Sequence, residues 1–117
     1  MSEQQYLSTA VRSSSAGLIG RSLNSARNHH FVIDSPALGE ALGSGEAFLA
    51  GVSSCGVTLC ENAAREMGVP LERMEVAIEG LRERERPANF ARVAMRFTLH
   101  GVDQAQADAV VQRYKDG

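Results

Sequence analysis

The sequence predicts an α+β fold: an N-terminal β-meander, one long central helix, a β-hairpin and a second helix. Three observations carry the prediction. Apolar and small residues recur at spacings of three and four from Ser44 to Met67, the period of a helix. Met74-Glu75-Val76-Ala77-Ile78-Glu79 alternates with period two, and Val93, Met95, Phe97 and Leu99 alternate back. Asp103 followed three residues on by Gln106 is a capping-box pattern that opens a second helix.

Taken in order, residues 4–34 read as strands. Tyr6, Leu7, Thr9 and Val11 favour a first strand, with Ser13-Ser14-Ser15 as its turn. Leu18 and Ile19 belong to a second strand, turned by Asn24-Ser25. Phe31-Val32-Ile33 forms a third, ended by Asp34-Ser35-Pro36. Three glycines and a proline between Pro36 and Gly45 predict a loop. The central helix then spans 44–67, with Ser44 as cap and Glu46 in the first turn, where a negative charge suits the helix dipole. Phe48, Val52, Cys55, Leu59, Ala63 and Met67 share one face and form the expected buried stripe. Gly68 stops the helix and Pro70 prevents its resumption.

The hairpin is expected over 74–101. Its first strand turns Met74, Val76 and Ile78 inward and Glu75 and Glu79 to water. It runs on through Arg82-Glu83-Arg84-Glu85-Arg86, arginines on one face and glutamates on the other, to a turn at Pro87-Ala88-Asn89. The last helix covers 103–115, with Ala107, Val110, Val111 and Tyr114 as its inner stripe. A chain of 117 residues reads as one domain, 1–117.

Composition narrows the function. A formal charge of −2 gives no electrostatic reason to expect nucleic acid or an anionic membrane as partner. No apolar run approaches the roughly 18 residues that span a bilayer, and Met-Ser-Glu-Gln-Gln-Tyr lacks the basic flank and apolar centre of a signal peptide. His29, His30 and His100 fall in no metal-ligand spacing, so neither metal nor cofactor is expected. Cys55 and Cys60 lie five apart on one helix, roughly 8–9 Å between Cα atoms from helix rise and radius. That is too far for a disulfide, and the expected setting is reducing and cytoplasmic. The central helix is apolar or small around more of its circumference than one sheet would cover, which points to a homodimer. Gly51 and Gly56 each cost about 1 kcal/mol against alanine. Close approach of a partner helix or a substrate would account for them, and Cys55, a buried thiol with room beside it, is the leading candidate for chemistry.

Several stretches together resemble the OsmC/Ohr superfamily of osmotically inducible and organic hydroperoxide resistance proteins. They are Asp34-Ser35-Pro36 before a glycine-rich loop, Glu46 nine residues ahead of Cys55 in Ser53-Ser54-Cys55, and Met67-Gly68-Val69-Pro70-Leu71-Glu72-Arg73-Met74-Glu75-Val76 joining helix to hairpin. Gly101-Val102-Asp103 at the last helix also fits. The resemblance covers nearly the whole chain and lies with the general OsmC-like branch. It implies an intertwined homodimer, two central helices wrapped by sheets of both subunits, with a thiol peroxidase site at the interface. It implies Cys55 as the attacking thiol, Glu46 as the assisting acid, and an arginine of the meander, where Arg21 is preferred over Arg12 and Arg27. It also implies a resolving cysteine in a Cys-Pro motif after the last helix; the sequence given reaches Gly117 without one.

These residue types suffice for the first half of a peroxidase reaction. A thiolate is the nucleophile, and an ordinary cysteine is mostly protonated at neutral pH. A guanidinium favours the thiolate and can hydrogen-bond the departing oxygen, while a carboxylate orients the guanidinium. Cys60 reads as helix packing, so an external thiol or dithiol is the expected reductant. The alternatives are a non-catalytic dimer binding a hydrophobic small molecule between its subunits, and a redox sensor acting through Cys55.

Overall fold

The computed structural model describes residues 5–117; residue 4, where the meander was expected to begin, lies outside them. The elements follow in the order β1 (Arg12–Ser15), β2 (Arg21–Ala26), β3 (His29–Asp34), α1 (Ser44–Met67), β4 (Arg73–Leu81), β5 (Arg92–His100) and α2 (Gln104–Asp116). This is an α+β architecture with two helices and two antiparallel sheets, β1-β2-β3 and β4-β5. The chain divides into two compact units, the first ending at Ala47 and the second running Phe48–Gly117. No helix among the described residues is long and apolar enough to cross a membrane.

The first unit is a meander, but its turns differ from the expected ones. Ser13, Ser14 and Ser15 are strand residues, paired with Asn24, Leu23 and Ser22. Serine is tolerated there because the ladder uses backbone groups, and Ser13 Oγ adds a 2.6 Å hydrogen bond to the buried Asn24 Oδ1. Leu18 and Ile19 lie in the turn instead, flanked by Gly17 and Gly20 at φ 85° and 96°. Those left-handed glycines let the chain reverse, and the Arg21 N–H closes on the Leu18 carbonyl at 3.2 Å. Asn24 and Ser25 are inside β2, and the second turn is Arg27-Asn28, with Arg27 at φ 56°. Tyr6 to Val11 form no strand.

The second unit is built on the β4–β5 hairpin. Register pairs Met74 with Leu99, Val76 with Phe97 and Ile78 with Met95, so one face is apolar throughout. Glu75 and Glu79 are exposed on the other face. The core comprises Cys60, Ala63 and Ala64 of α1, Met74 of β4 and Val110 of α2. Val57, Val69, Leu71, Val76, Phe97, Leu99 and Tyr114 surround it. β4 ends at Leu81 rather than running through the arginine–glutamate stretch. A bridge between Glu83 and Arg86 closes a tight turn there, ahead of the turn at Pro87 and Ala88. The tip is fixed by Phe90, whose ring occupies the space a Gly80 side chain would need. That ring stacks on Phe48 at 6.1 Å between centroids and carries the Arg82 guanidinium 4.3 Å from its centre.

Candidate functional site

Helix α1 carries both cysteines; Cys60 is packed as expected, whereas Cys55 leaves the buried stripe in which it was expected. Cys60 is fully buried and Cys55 is exposed in the single chain. The buried residues of α1 are Gly56, Cys60, Ala63 and Ala64, about one residue around from the predicted stripe. Phe48 and Leu59 of that stripe are half exposed or more. The physical reason is size. A Cβ on Gly56 would stand 3.2 Å from Met95 Cε, with Phe97 and Tyr114 next, so the hairpin and α2 close on the small-residue face. Gly51, in contrast, faces open space. Both thiols are free. Burial pushes the Cys60 thiol above its ordinary pKa, which suppresses its thiolate.

Arg21, at the start of β2, is the most firmly held cation of the first unit. Its Nε and Nη2 donate to Asp34 Oδ1 and Oδ2 at 2.6 and 2.9 Å. Asp34 ends β3, and the register sets the two residues directly opposite each other. The Asp34 carboxylate is completely covered and also accepts the backbone N–H groups of Glu40 and Ala41 at 3.1 and 3.0 Å. A second carboxylate, Glu40, takes Arg21 Nη2 at 2.6 Å from a largely exposed side chain. Hydrogen bonding to Arg21 holds the Asp34 carboxyl below the usual carboxylate range. The same bonds, with those to Glu40, raise the guanidinium above its already high value, so its charge is permanent.

Glu46 has a different partner from the one expected. Its Oε1 accepts the Gly43 N–H at 2.9 Å, and the Gly43 carbonyl accepts the Ala47 N–H at 3.0 Å. Gly43, not Ser44, is therefore the capping position, and Glu46 supplies the side-chain half of a capping box. The expectation that Glu46 orients Arg21 is corrected accordingly: Asp34 and Glu40 do so. Arg12 and Arg27 form no ion pair among the described residues. Among those residues, too, no group of three or more His, Cys, Asp or Glu side chains could hold a metal ion.

Sequence reasoning missed Asp34 and Glu40 as the partners of Arg21. The signal for Asp34 was present but depended on the turn. Counting outward from a two-residue turn at Arg27-Asn28 sets Arg21 against Asp34, an opposite-charge cross-strand pair. Nothing local marked Glu40, which reaches Arg21 only because the loop after β3 folds back.

No curated protein matches the sequence. Solved structures do match the fold. A crystal structure of an OsmC-like protein from Mycoplasma pneumoniae is similar over 91% of this chain and 79% of its own, with TM-score 0.81 and 9% identity. An organic hydroperoxide resistance protein OsmC from Legionella pneumophila is similar over 94% and 83%, with TM-score 0.71 and 17% identity. The organic hydroperoxide resistance protein OhrB of Bacillus subtilis is similar over 94% and 84%, with TM-score 0.68 and 15% identity. At these identities the likeness is one of fold. The sequence itself matches the family described as OsmC-like protein over residues 37–116, which takes in the loop after β3, both helices and the hairpin. This chain therefore belongs to the OsmC-like protein family.

Proposed function

We propose that this protein is a cysteine-dependent reductase of organic and lipid hydroperoxides, working in the cytoplasm as an intertwined homodimer and serving defence against oxidative stress. The observation that carries the reading is the contrast between the cysteines: an exposed thiol, Cys55, beside a buried one, on the central helix of a hydroperoxide-resistance fold. The half-exposed Phe48 and Leu59, on the same side of α1, favour a second copy of the chain as their cover.

In the first step the Cys55 thiolate attacks the terminal peroxide oxygen. An S–O bond forms, the O–O bond breaks, and the electron pair leaves on the alkoxide, which takes a proton to become an alcohol. Cys55 is thereby oxidised to a sulfenic acid. Arg21 is the cation assigned to the thiolate and the departing oxygen; Glu46 secures the start of the helix that carries Cys55. An external thiol then displaces the sulfenic hydroxyl as water, and a second thiol, or the other arm of a dithiol, restores Cys55 and leaves as the disulfide. Cys60 takes no part, being sealed in the core with its thiolate suppressed.

The test is intact mass before and after one equivalent of cumene hydroperoxide. Gain of one oxygen in the wild type, reversed by a dithiol and absent from Cys55→Ala, is the expected result. Failure of Cys55 to oxidise while a control thiol reacts would sink the enzymatic reading.

A further inference from the structure

Two carboxylates of opposite character hold Arg21. Asp34 is fixed: its side chain is fully covered, it engages both Nε and Nη2, and Oδ2 is further tied to the Glu40 and Ala41 N–H groups. Glu40 is loose. Its side chain is 74% exposed, and its carboxylate makes one contact, Oε1 to Nη2 at 2.6 Å. Nη2 thus serves two acceptors, while Nη1 serves none among the described residues. One guanidinium against two carboxylates also leaves a surplus negative charge, which opposes approach of any anionic oxygen.

Release of Glu40 changes both properties together. The surplus charge goes into water, and an Nη2 hydrogen becomes available beside the open Nη1 edge. The Glu40 backbone need not move, because its N–H stays on Asp34. We propose that Glu40 is a releasable latch on Arg21 and Asp34 its permanent anchor: latched, the second Nη2 hydrogen is withheld and only Nη1 is open; released, an Nη1 and an Nη2 N–H stand side by side for an anionic oxygen while Asp34 keeps the guanidinium in place. Naming that oxygen as the alkoxide leaving a hydroperoxide rests on the function proposed above, whereas the latch itself does not. Asp34 and Glu40 are positioning residues here, acting through Arg21.

Two measurements on the full chain separate these claims. The first is the rate of Arg21 modification by phenylglyoxal, an arginine-selective reagent, read by peptide mass spectrometry. The second is kcat/KM for cumene hydroperoxide with dithiothreitol. Glu40→Gln and Glu40→Ala change an exposed side chain and leave the fold intact. Both are expected to raise Arg21 modification roughly two- to fivefold, the range of an exposed ion pair, and to raise kcat/KM by a similar factor. Asp34→Asn is expected to raise modification but lower kcat/KM, since it frees the guanidinium without aiming it. Unchanged Arg21 modification in both Glu40 variants would overturn the latch. Raised modification with kcat/KM unchanged or lowered would overturn its role in withholding Arg21 from substrate. Raised modification in a protein whose wild type turns over no hydroperoxide would sink the peroxidase reading and uphold the latch.

Discussion

The two cysteines should differ in reactivity by several orders of magnitude, and the size of the gap follows from the core. Cys60 is enclosed by Ala63, Ala64, Met74 and Val110, and none of its surface reaches solvent. A reagent reaches its sulfur only if α1 lifts from the hairpin. That exposes Met74 and Val110 and loosens Phe97 and Leu99, side chains whose burial contributes about 1.5–3 kcal/mol each when complete. Two side chains fully exposed and two partly exposed amount to roughly three such burials, about 4.5–9 kcal/mol, and each 1.4 kcal/mol is a factor of ten, so Cys60 is protected about 10³- to 10⁶-fold. Its raised pKa acts in the same direction. Cys55 has no such protection within its own chain. A stopped-flow reaction with a chromogenic disulfide should release one equivalent rapidly from the wild type and from Cys60→Ala, and none rapidly from Cys55→Ser. The second equivalent should appear only as urea unfolds the protein. Two equivalents at similar rates, or a rapid phase surviving in Cys55→Ser, would refute the assignment of the core and the enzymatic reading built on it.

Three further outcomes are expected. Val110→Ala, at a fully buried position of α2, should destabilise the protein by about 2–3 kcal/mol through lost methyl burial and the cavity left behind, measured by urea denaturation. Gly80→Ala places a Cβ 2.3 Å from the Phe90 ring and should cost about 1–3 kcal/mol by overpacking; combining it with Phe90→Leu should recover part of that loss, and purely additive losses would count against the contact. The Asp34 carboxyl is held below its unfolded value of about 3.9, so its contribution is present above that pH and is lost as pH falls further; denaturation midpoints between pH 6 and 2.5 should drop at the acid end, and less so in Asp34→Asn.

The parts of the fold legible in the sequence were those specified by contacts within a few residues. The capping box of α2 is present in both halves, Gln106 N–H to Asp103 Oδ1 at 2.8 Å and Asp103 N–H to Gln106 Oε1 at 3.1 Å. The stop of α1 needs only Gly68, which takes φ 69°. The alternation in β4 sorted its faces because one of them is apolar without exception. The meander was harder. Its strands carry serine, asparagine and arginine where strong β-formers would usually stand, and its second turn has Arg27 at the left-handed position that glycine or asparagine would announce. The face of α1 was misjudged by about one residue because hydrophobicity was weighed above size. Glycine and alanine draw neighbours close, while Phe48 and Leu59 would have kept them away. Of the candidate residues, Cys55 stood out by residue type, while Arg21 was one of three meander arginines that the family resemblance allowed. The groups that hold Arg21 depended on strand register and on a loop returning, both of them long-range properties.

The segment after β3 is a closed loop with a hydrogen-bonded neck. The Asp34 N–H bonds the Leu42 carbonyl at 2.9 Å, and the Ser35 N–H bonds the Gly20 carbonyl at 2.7 Å. The stretch between is therefore anchored at its ends, and its apex, around Pro36 and Ala37, is tied mainly to itself through the Ser35 carbonyl. Closure entropy grows only with the logarithm of length, about 0.6 kcal/mol for each doubling. The apex can accordingly take up extra residues at little thermodynamic expense, provided that Glu40 and Ala41 still return to Asp34. It is a natural place to graft a short peptide or a fluorophore, and a place where length can drift over evolutionary time without disturbing the guanidinium at the loop's base.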